Sequence, residues 1–305
     1  MLRGIAITAC AALLGAGAFC QAQDADEVSR VRLVAESNEA VAGSTMLLGL
    51  RFELSDGWHI YWNGRNDTGF APEVDWTLPE GVTVGPFLWP TPKRYVSPGD
   101  ILDHVYEGTP TILVPITISP DVEVGTTLEI AGEVEWLVCN DVCLPGFGPV
   151  SIDLTVNGES QGESDRLRPG SDIAGAASRL PEPVLPSALP GAFTIAWSAD
   201  AATIRAPGAT SMAFYPVRSS AALVSMLADA HTDGSAMRLR LAAEGLSDST
   251  QQERRLVGVL AITDASGTSR SYQIDAGADG FRAPAHSELI SRVRQRVGAR
   301  SDGGG

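Results

Sequence analysis

Cysteine, lysine and long apolar runs are scarce in this chain of 305 residues. Four cysteines are too few for a disulfide-stapled scaffold, so stability must come from hydrophobic cores. Lysine occurs only at Lys93, and 22 basic residues stand against 37 acidic ones, which gives a net charge of −15. An acidic surface repels phosphate, which argues against nucleic acid and anionic membranes as main partners. No run of about 18 apolar residues follows the N-terminus, so no membrane-spanning helix is predicted for the mature protein.

Residues 1–22 have the composition of a secretory signal peptide. Arg3 supplies a positive charge, residues 5–19 are apolar or small, and Cys20-Gln21-Ala22 offers small residues for cleavage. A lipoprotein interpretation through Ile7-Thr8-Ala9-Cys10 leaves a much shorter apolar segment and is the weaker alternative. Cleavage removes two of the four cysteines, and export places the other two where disulfides persist.

Alternation of apolar and polar residues dominates the rest of the chain. The alternating stretches include residues 48–54, 112–118, 134–138 and 150–156, with turns rich in glycine, proline, asparagine and aspartate between them. A period of two is typical of antiparallel strands that bury one face. Many short strands with frequent turn signals predict an all-β chain built from β-sandwiches.

The chain is long enough, and at 44% hydrophobic apolar enough, for two domains. Strand patterns fill residues 24–157 and resume in a second, smaller β-rich domain at 191–285, where residues 221–230 are compatible with a helix. Between them, residues 158–190 are rich in glycine, serine, glutamate and proline and are interpreted as a linker. Residues 286–305 form a tail that begins with apolar residues at helical spacing.

Cys139 and Cys143 are the reactive-looking pair of the mature chain. The residues between them, Asn140-Asp141-Val142, predict a tight turn, and a hairpin brings two Cα atoms to the roughly 5.5 Å that a disulfide needs. Three interpretations are open: a structural disulfide, a Cu(I) or Zn(II) site completed by His59 or His104, and thiol–disulfide exchange. A loop this short stabilises a folded chain by about 2 kcal/mol or less, which weakens the structural interpretation.

Five motifs follow one another between residues 28 and 156: Asp56-Gly57-Trp58-His59-Ile60-Tyr61-Trp62, Leu78-Pro79-Glu80-Gly81-Val82, Tyr106-Glu107-Gly108, Leu113-Val114-Pro115-Ile116-Thr117-Ile118, and the stretch from Trp136 to Pro145. In order and spacing they resemble the N-terminal periplasmic domain of the thiol:disulfide interchange protein DsbD, in the variant of the ScsB-type reductases. Two later stretches are similar to the second β-domain of ScsB-type proteins: Phe214-Tyr215-Pro216 and Leu256-Val257-Gly258-Val259-Leu260.

The resemblance implies an immunoglobulin-like β-sandwich with one redox pair. It implies that Cys143 attacks partner disulfides, that Cys139 resolves the mixed disulfide, and that an aromatic side chain, Trp89 or Tyr95, caps the pair. The implied electron donor is a membrane-embedded reductase of the DsbD, ScsB or CcdA type. The implied acceptors are periplasmic thioredoxin-fold proteins, which serve cytochrome c assembly or copper tolerance.

Members of the family continue into a multi-helix membrane module and a thioredoxin-like domain. Neither pattern follows in these 305 residues, so we expect the electrons to come from another polypeptide. No cofactor is predicted. The alternative to a redox relay is a non-catalytic periplasmic binding module with a structural disulfide, which uses its acidic surface and its aromatic loop to hold another protein.

Two other side chains are candidates for modulating the pair. Asp141 lies between the cysteines and no lysine or arginine is adjacent, which predicts a raised thiol pKa and a selective relay rather than a general reductant. Turn formation explains Asp141 equally well. His104 lowers a thiol pKa if it lies close, whereas His59 is expected to face solvent or a neighbouring strand.

Overall fold

The computed structural model describes residues 24–158, 166–242 and 254–298. The signal-peptide interpretation of residues 1–22 falls outside these ranges. Within them, none of the helices combines the length and the apolarity that a membrane span needs. Strands dominate both halves of the chain, so the all-β prediction is confirmed.

Eleven strands and one short helix make up the first half of the described structure. They are α1 (Ala25–Val28), β1 (Ser29–Ala35), β2 (Glu39–Val41), β3 (Thr45–Leu54), β4 (His59–Tyr61), β5 (Glu73–Thr77), β6 (Val82–Val84), β7 (Lys93–Ser97), β8 (Ile101–Glu107), β9 (Thr111–Ile118), β10 (Thr127–Cys139) and β11 (Cys143–Asn157). One sheet has the order β1-β3-β9-β6. The other has the order β2-β11-β10-β4-β8-β7, with β5 beside β10. The two sheets enclose one hydrophobic core and form an immunoglobulin-like sandwich.

Strand β10 carries the predicted alternation through the middle of this sandwich. Its inward-facing side chains are buried: Leu128, Ile130, Val134, Trp136 and Val138. The glutamates that alternate with them are exposed. Cys139 ends the pattern, because it lies on the outer face of the sheet and is nevertheless only 1% exposed. Other side chains must therefore cover the outer face at this end of the strand.

The second half of the described structure contains nine strands and three helices. They are α2 (Asp172–Ser178), β12 (Glu182–Pro183), β13 (Thr194–Trp197), β14 (Ala201–Arg205), β15 (Ala209–Pro216), α3 (Met226–Asp229), β16 (His231–Thr232), β17 (Ala236–Arg240), β18 (Arg255–Asp264), β19 (Ser269–Gly277), β20 (Gly280–Phe281) and α4 (Ser287–Gly298). One sheet has the order β12-β19-β18-β15-β16, with β20 beside β19, and the other has the order β13-β14-β17. A second hydrophobic core lies between them.

The helix expected over residues 221–230 is much shorter in the structure. Only its last part forms α3, because the backbone before it bonds to strands instead of to itself. The N–H of Ala221 donates to the carbonyl of Arg255 at 2.8 Å, and the N–H of Val224 donates to that of Arg240 at 2.8 Å. Pairing with β17 and β18 therefore overrides the local helical pattern.

Two helices pack beside β3 and β9 of the first sandwich. Helix α2 lies in the segment interpreted as a linker, and the hydroxyl of Ser171 caps it by accepting the N–H of Ala174 at 3.1 Å. Helix α4 has the spacing predicted for the tail, and its Ile290 and Val293 are buried with Ile173 of α2. The segment between the two sandwiches is thus partly helical and packed.

The two sandwiches contact each other beside β4 and β8. The N–H of Arg65, just after β4, donates to the carbonyl of Pro216 at 2.9 Å. Its guanidinium donates to the carbonyl of Ser220 at 2.6 Å. The ring of Tyr215 lies 5.1 Å from that of His104 on β8. These contacts fix one end of the segment after β4, whose continuation reaches the cysteine pair.

Candidate thiol–disulfide site

Cys139 and Cys143 form a disulfide at the end of the β10–β11 hairpin. They are directly opposite each other in the strand ladder, with their Cα atoms 4.2 Å apart. The turn is closed by the N–H of Asn140, which donates to the carbonyl of Val142 at 3.0 Å, and Asp141 is exposed at its tip. The predicted hairpin is confirmed. The bond therefore joins two residues that the strand ladder already places opposite each other.

The two cysteines differ sharply in exposure. Cys139 is only 1% exposed, whereas Cys143 lies on the solvent-exposed part of the hairpin. Attack on a disulfide requires that the two sulfurs meet, so access selects which cysteine reacts with another protein. In this structure Cys143 is the exposed residue of the pair and Cys139 is the buried one.

Side chains from β4, β7 and β8 cover the outer face beside Cys139. His59 is the ladder partner of Cys139, and Tyr61 follows it on the same face of β4. Both are buried. The ring of His59 lies 4.5 Å from that of Tyr95 and 5.4 Å from that of Tyr61. Together with Val105 they form a small aromatic and apolar cluster, which we call the outer cluster.

A chain of polar contacts leads from a buried carboxylate to Cys143. Asp103 is 3% exposed and accepts two hydrogen bonds from Thr68, from the N–H at 3.0 Å and from the hydroxyl at 2.6 Å. The Oη of Tyr61 lies 3.3 Å from Thr68 Oγ1 and 3.8 Å from Cys143 Sγ. Gly69 lies flat against the Tyr61 ring, where a Cβ would stand only 2.1 Å from Cζ. The hydroxyl is therefore held beside Cys143 Sγ.

Burial sets the charge state of the outer cluster. Desolvation lowers the pKa of His59, although Asp103 and Glu107 act in the opposite direction. The Nδ1 of His59 is buried and has no hydrogen-bond partner among the described residues. Desolvation raises the pKa of Tyr61, so its hydroxyl keeps its proton. Lys93 pairs with Glu107 at 2.8 Å. His59 and Tyr61 therefore surround the disulfide as neutral groups at neutral pH.

The structure divides the four side chains that the sequence put forward as caps or modulators. Tyr95 packs into the outer cluster, and Asp141 stands at the tip of the hairpin. Trp89 and His104 belong to the opposite face of the sheet. Trp89 stacks on Tyr106 with ring centroids 6.5 Å apart, and residues 104 and 106 alternate with the outward-facing residues of β8. The structure therefore brings Tyr95 close to the pair, and leaves Trp89 and His104 beneath the sheet.

The two candidate histidines have different surroundings. His104 donates from Nδ1 to the carbonyl of Arg65 at 2.7 Å, and burial lowers its pKa to about 4. It is a neutral residue of the contact between the sandwiches. The sequence pattern predicts that His59 faces either solvent or a neighbouring strand. In the structure it lies against a neighbouring strand and is buried.

The metal-site interpretation required two thiolates and a histidine in one place. In the parts of the chain that the structure describes, no group of three or more His, Cys, Asp or Glu side chains is arranged to hold a metal ion. Of the two histidines considered, His59 lies next to Cys139 in the ladder and His104 faces the other side of the sheet.

Three residues of the site were not predicted from the sequence: Tyr61, Thr68 and Asp103. The alternation of β4 contained a usable signal for Tyr61, since it shares a face with His59 and therefore with Cys139. No local pattern connects Thr68 with Asp103, which are 35 residues apart in the chain. Their contact depends on how the segment after β4 folds back along β8.

Two packed sheets and a disulfide at the tip of a hairpin define an immunoglobulin-like domain built for thiol–disulfide interchange. Residues 30–153 match the family model described as thiol:disulfide interchange protein DsbD, N-terminal. The match includes both cysteines and nearly the whole first sandwich. This part of the chain is a DsbD N-terminal-like domain, as its resemblance in sequence implied.

The chain is similar to solved structures, and its likeness to the first of them shows a shared fold. The N-terminal periplasmic domain of ScsB from Proteus mirabilis is 16% identical with a TM-score of 0.50, and the match covers 82% of this chain and 92% of that chain. The N-terminal domain of Neisseria meningitidis DsbD in the reduced form is 13% identical with a TM-score of 0.27, over 44% of this chain and 89% of that chain. No curated protein matches the chain in sequence. The likeness to the ScsB domain extends the shared fold beyond the first sandwich.

Proposed function

We propose that this protein is a periplasmic thiol–disulfide exchange module that relays electrons from a membrane-embedded reductase to thioredoxin-fold proteins. The observation that carries the proposal is the unequal exposure of Cys139 and Cys143 at the end of a ladder that pairs β10 with β11 along the whole of β10. The DsbD-type match over residues 30–153 supports the reaction class. The periplasmic origin of the similar ScsB domain supports the compartment.

The reaction consists of two exchanges at neighbouring sulfurs. The Cys143 thiolate of the reduced protein attacks one sulfur of the partner's disulfide, and the partner's other sulfur leaves as a thiolate. Cys139, as a thiolate, then attacks Cys143 Sγ, closes the internal disulfide and expels the remaining partner sulfur. Two electrons pass from the cysteine pair to the partner. A dithiol of the membrane reductase returns them by the reverse sequence.

Burial of Cys139 suits a resolving role. Because Cys139 is only 1% exposed, it is shielded from solutes that do not dock. The mixed disulfide brings its target, Cys143 Sγ, directly opposite it in the ladder. A net charge of −15 favours partners that dock through a neutral or basic face.

A trapping experiment tests the roles of the two cysteines. Cys10 and Cys20 are replaced by serine in every variant, so that only the pair remains. With oxidised thioredoxin-fold protein added in excess, Cys139→Ser is expected to accumulate a mixed disulfide through Cys143, and Cys143→Ser is the matched control. If both variants accumulate the adduct equally, the assignment of Cys143 as the attacking cysteine is wrong. If neither variant forms an adduct, the proposed exchange function is wrong.

A redox titration separates exchange from a structural disulfide. The protein is equilibrated in glutathione buffers and the thiols are trapped at each potential. We expect the midpoint potential of the pair to lie above about −300 mV, so that the pair is already largely reduced when the buffer reaches that potential. A pair that remains oxidised below about −300 mV behaves as a structural bond and supports the non-catalytic binding module instead.

A further inference from the structure

The hydroxyl of Tyr61 has one hydrogen and two neighbours that compete for it. Thr68 Oγ1 lies 3.3 Å from Tyr61 Oη, and Cys143 Sγ lies 3.8 Å from it. The hydroxyl hydrogen of Thr68 is committed to Asp103 at 2.6 Å, so Thr68 Oγ1 can only accept from Tyr61. A disulfide sulfur is a weak acceptor. In the oxidised protein the hydrogen of Tyr61 therefore points to Thr68.

Reduction changes the strength of the second acceptor. When Cys143 ionises, its sulfur carries a full negative charge, and charge-assisted hydrogen bonds are roughly twice as strong as neutral ones. We propose that the Tyr61 hydroxyl turns from Thr68 to Cys143 Sγ when the thiolate forms, and stabilises the nucleophile of the exchange. This inference rests on the proposed function and assigns Tyr61 to it as the hydrogen-bond donor at the reacting sulfur.

The ring of Tyr61 is held by its neighbours, so the proposed change of partner is a rotation of the hydroxyl group. The side chain is 1% exposed, and Gly69 lies close against the ring and blocks its movement on that side. Rotation of the hydroxyl needs no movement of heavy atoms. Because Thr68 is bonded to Asp103 through both its N–H and its hydroxyl, the alternative acceptor also keeps its place.

The surroundings explain why a thiolate at this point needs a donor. Charged or titratable residues occupy the outward-facing positions of the neighbouring elements: Asp103 and Glu107 on β8, Lys93 and Tyr95 on β7, and His59 and Tyr61 on β4, with Asp141 at the turn. Three of these are acids, and the single lysine is paired with one of them at 2.8 Å. Like charges disfavour a thiolate, and a buried neutral donor opposes that effect without adding a cation.

The test compares Tyr61, whose hydroxyl contacts Cys143 Sγ, with Tyr95, which belongs to the same cluster and makes no hydrogen bond to that sulfur. In the Cys139→Ser chain, with Cys10 and Cys20 also replaced by serine, the thiol pKa of Cys143 is measured from the pH dependence of its alkylation by iodoacetamide. Tyr61→Phe removes the donor and is expected to raise this pKa by about one unit. Tyr95→Phe removes a hydroxyl from the same cluster and is expected to leave it unchanged. An unchanged pKa in Tyr61→Phe overturns the inference.

A second measurement needs no substitution at Tyr61. Tyrosine is labelled with carbon-13 at Cζ and the reduced protein is titrated with pH. The Tyr61 resonance is expected to shift at the pH where Cys143 ionises, and the Tyr95 resonance is expected not to shift there. A Tyr61 resonance that ignores Cys143 ionisation overturns the inference. The two proposals can be refuted separately. If Cys139→Ser traps no partner, the proposed function is wrong. If it traps a partner but Tyr61→Phe leaves the pKa of Cys143 unchanged, only the role of Tyr61 is wrong.

Discussion

Reduction of the Cys139–Cys143 bond is expected to leave the protein folded. The perturbation is chemical and changes no side chain other than the two cysteines. Strand β10 is 13 residues long and pairs with β11 along its whole length, so the hairpin does not need the disulfide for its register. The residues that hold the core, such as Trp136 and Val138, point to the other face of the sheet.

The magnitude follows from the size of the loop that the bond closes. The two cysteines are separated by 4 positions, so the closed loop holds five residues. The chain-entropy relation gives about 7 cal/mol/K for such a loop, which is about 2 kcal/mol at 25 °C. A loop of about 100 residues would give nearly 5 kcal/mol. Because domains are commonly stable by about 5–15 kcal/mol, the loss of about 2 kcal/mol leaves the reduced form folded.

Urea unfolding followed by tryptophan fluorescence measures the difference. Oxidised and reduced protein, both with Cys10 and Cys20 replaced by serine, should differ by about 2 kcal/mol in the free energy of unfolding. The double variant Cys139→Ala, Cys143→Ala is the control and should be insensitive to reductant. Loss of cooperative unfolding on reduction, or a difference above about 4 kcal/mol, would mean that the bond is a structural staple and would refute the reasoning.

Two further predictions concern residues that the sequence nominated. Tyr95→Ala should speed reduction of the disulfide by glutathione several-fold, because it opens the outer cluster, whereas Trp89→Ala on the opposite face should not; equal rates in stopped-flow assays would contradict this. For His104, the folded-state pKa of about 4 lies below the ordinary value of 6.5, so stability present above pH 6.5 is lost as the pH falls toward 4. The loss is about 3 kcal/mol, and His104→Gln should abolish it. The measurement is the free energy of unfolding in urea, compared at pH 7.5 and 4.5.

Local pattern was sufficient for the strands and the hairpin, and insufficient for the environment of the cysteines. The period of two in β3, β9, β10 and β11 reports burial of one face, which each strand carries in its own sequence. Which side chains share the other face with Cys139 depends on the pairing of β4 with β10 and β8. That pairing is tertiary, so Trp89 and Tyr95 looked equivalent in sequence although they lie on opposite sides of one sheet. The shortening of the helix expected over residues 221–230 has the same cause, because strand partners compete for the backbone of its first part.

Cys139 is the next residue after Val138 of the core, so the proposed exchange depends on the register of the hairpin. Val138 points inward and Cys139 outward, and a slip of one residue would exchange them. The register is fixed by Trp136, whose ladder partner is Gly146. A Cβ at position 146 would stand 2.2 Å from Cε2 of the indole, so only glycine admits the ring, and the indole N–H donates to the hydroxyl of Ser29 at 2.9 Å. The indole thus locks β10 against both β11 and the opposite sheet. In the proposed exchange, this contact, three residues away and on the other face, keeps the two sulfurs opposite each other.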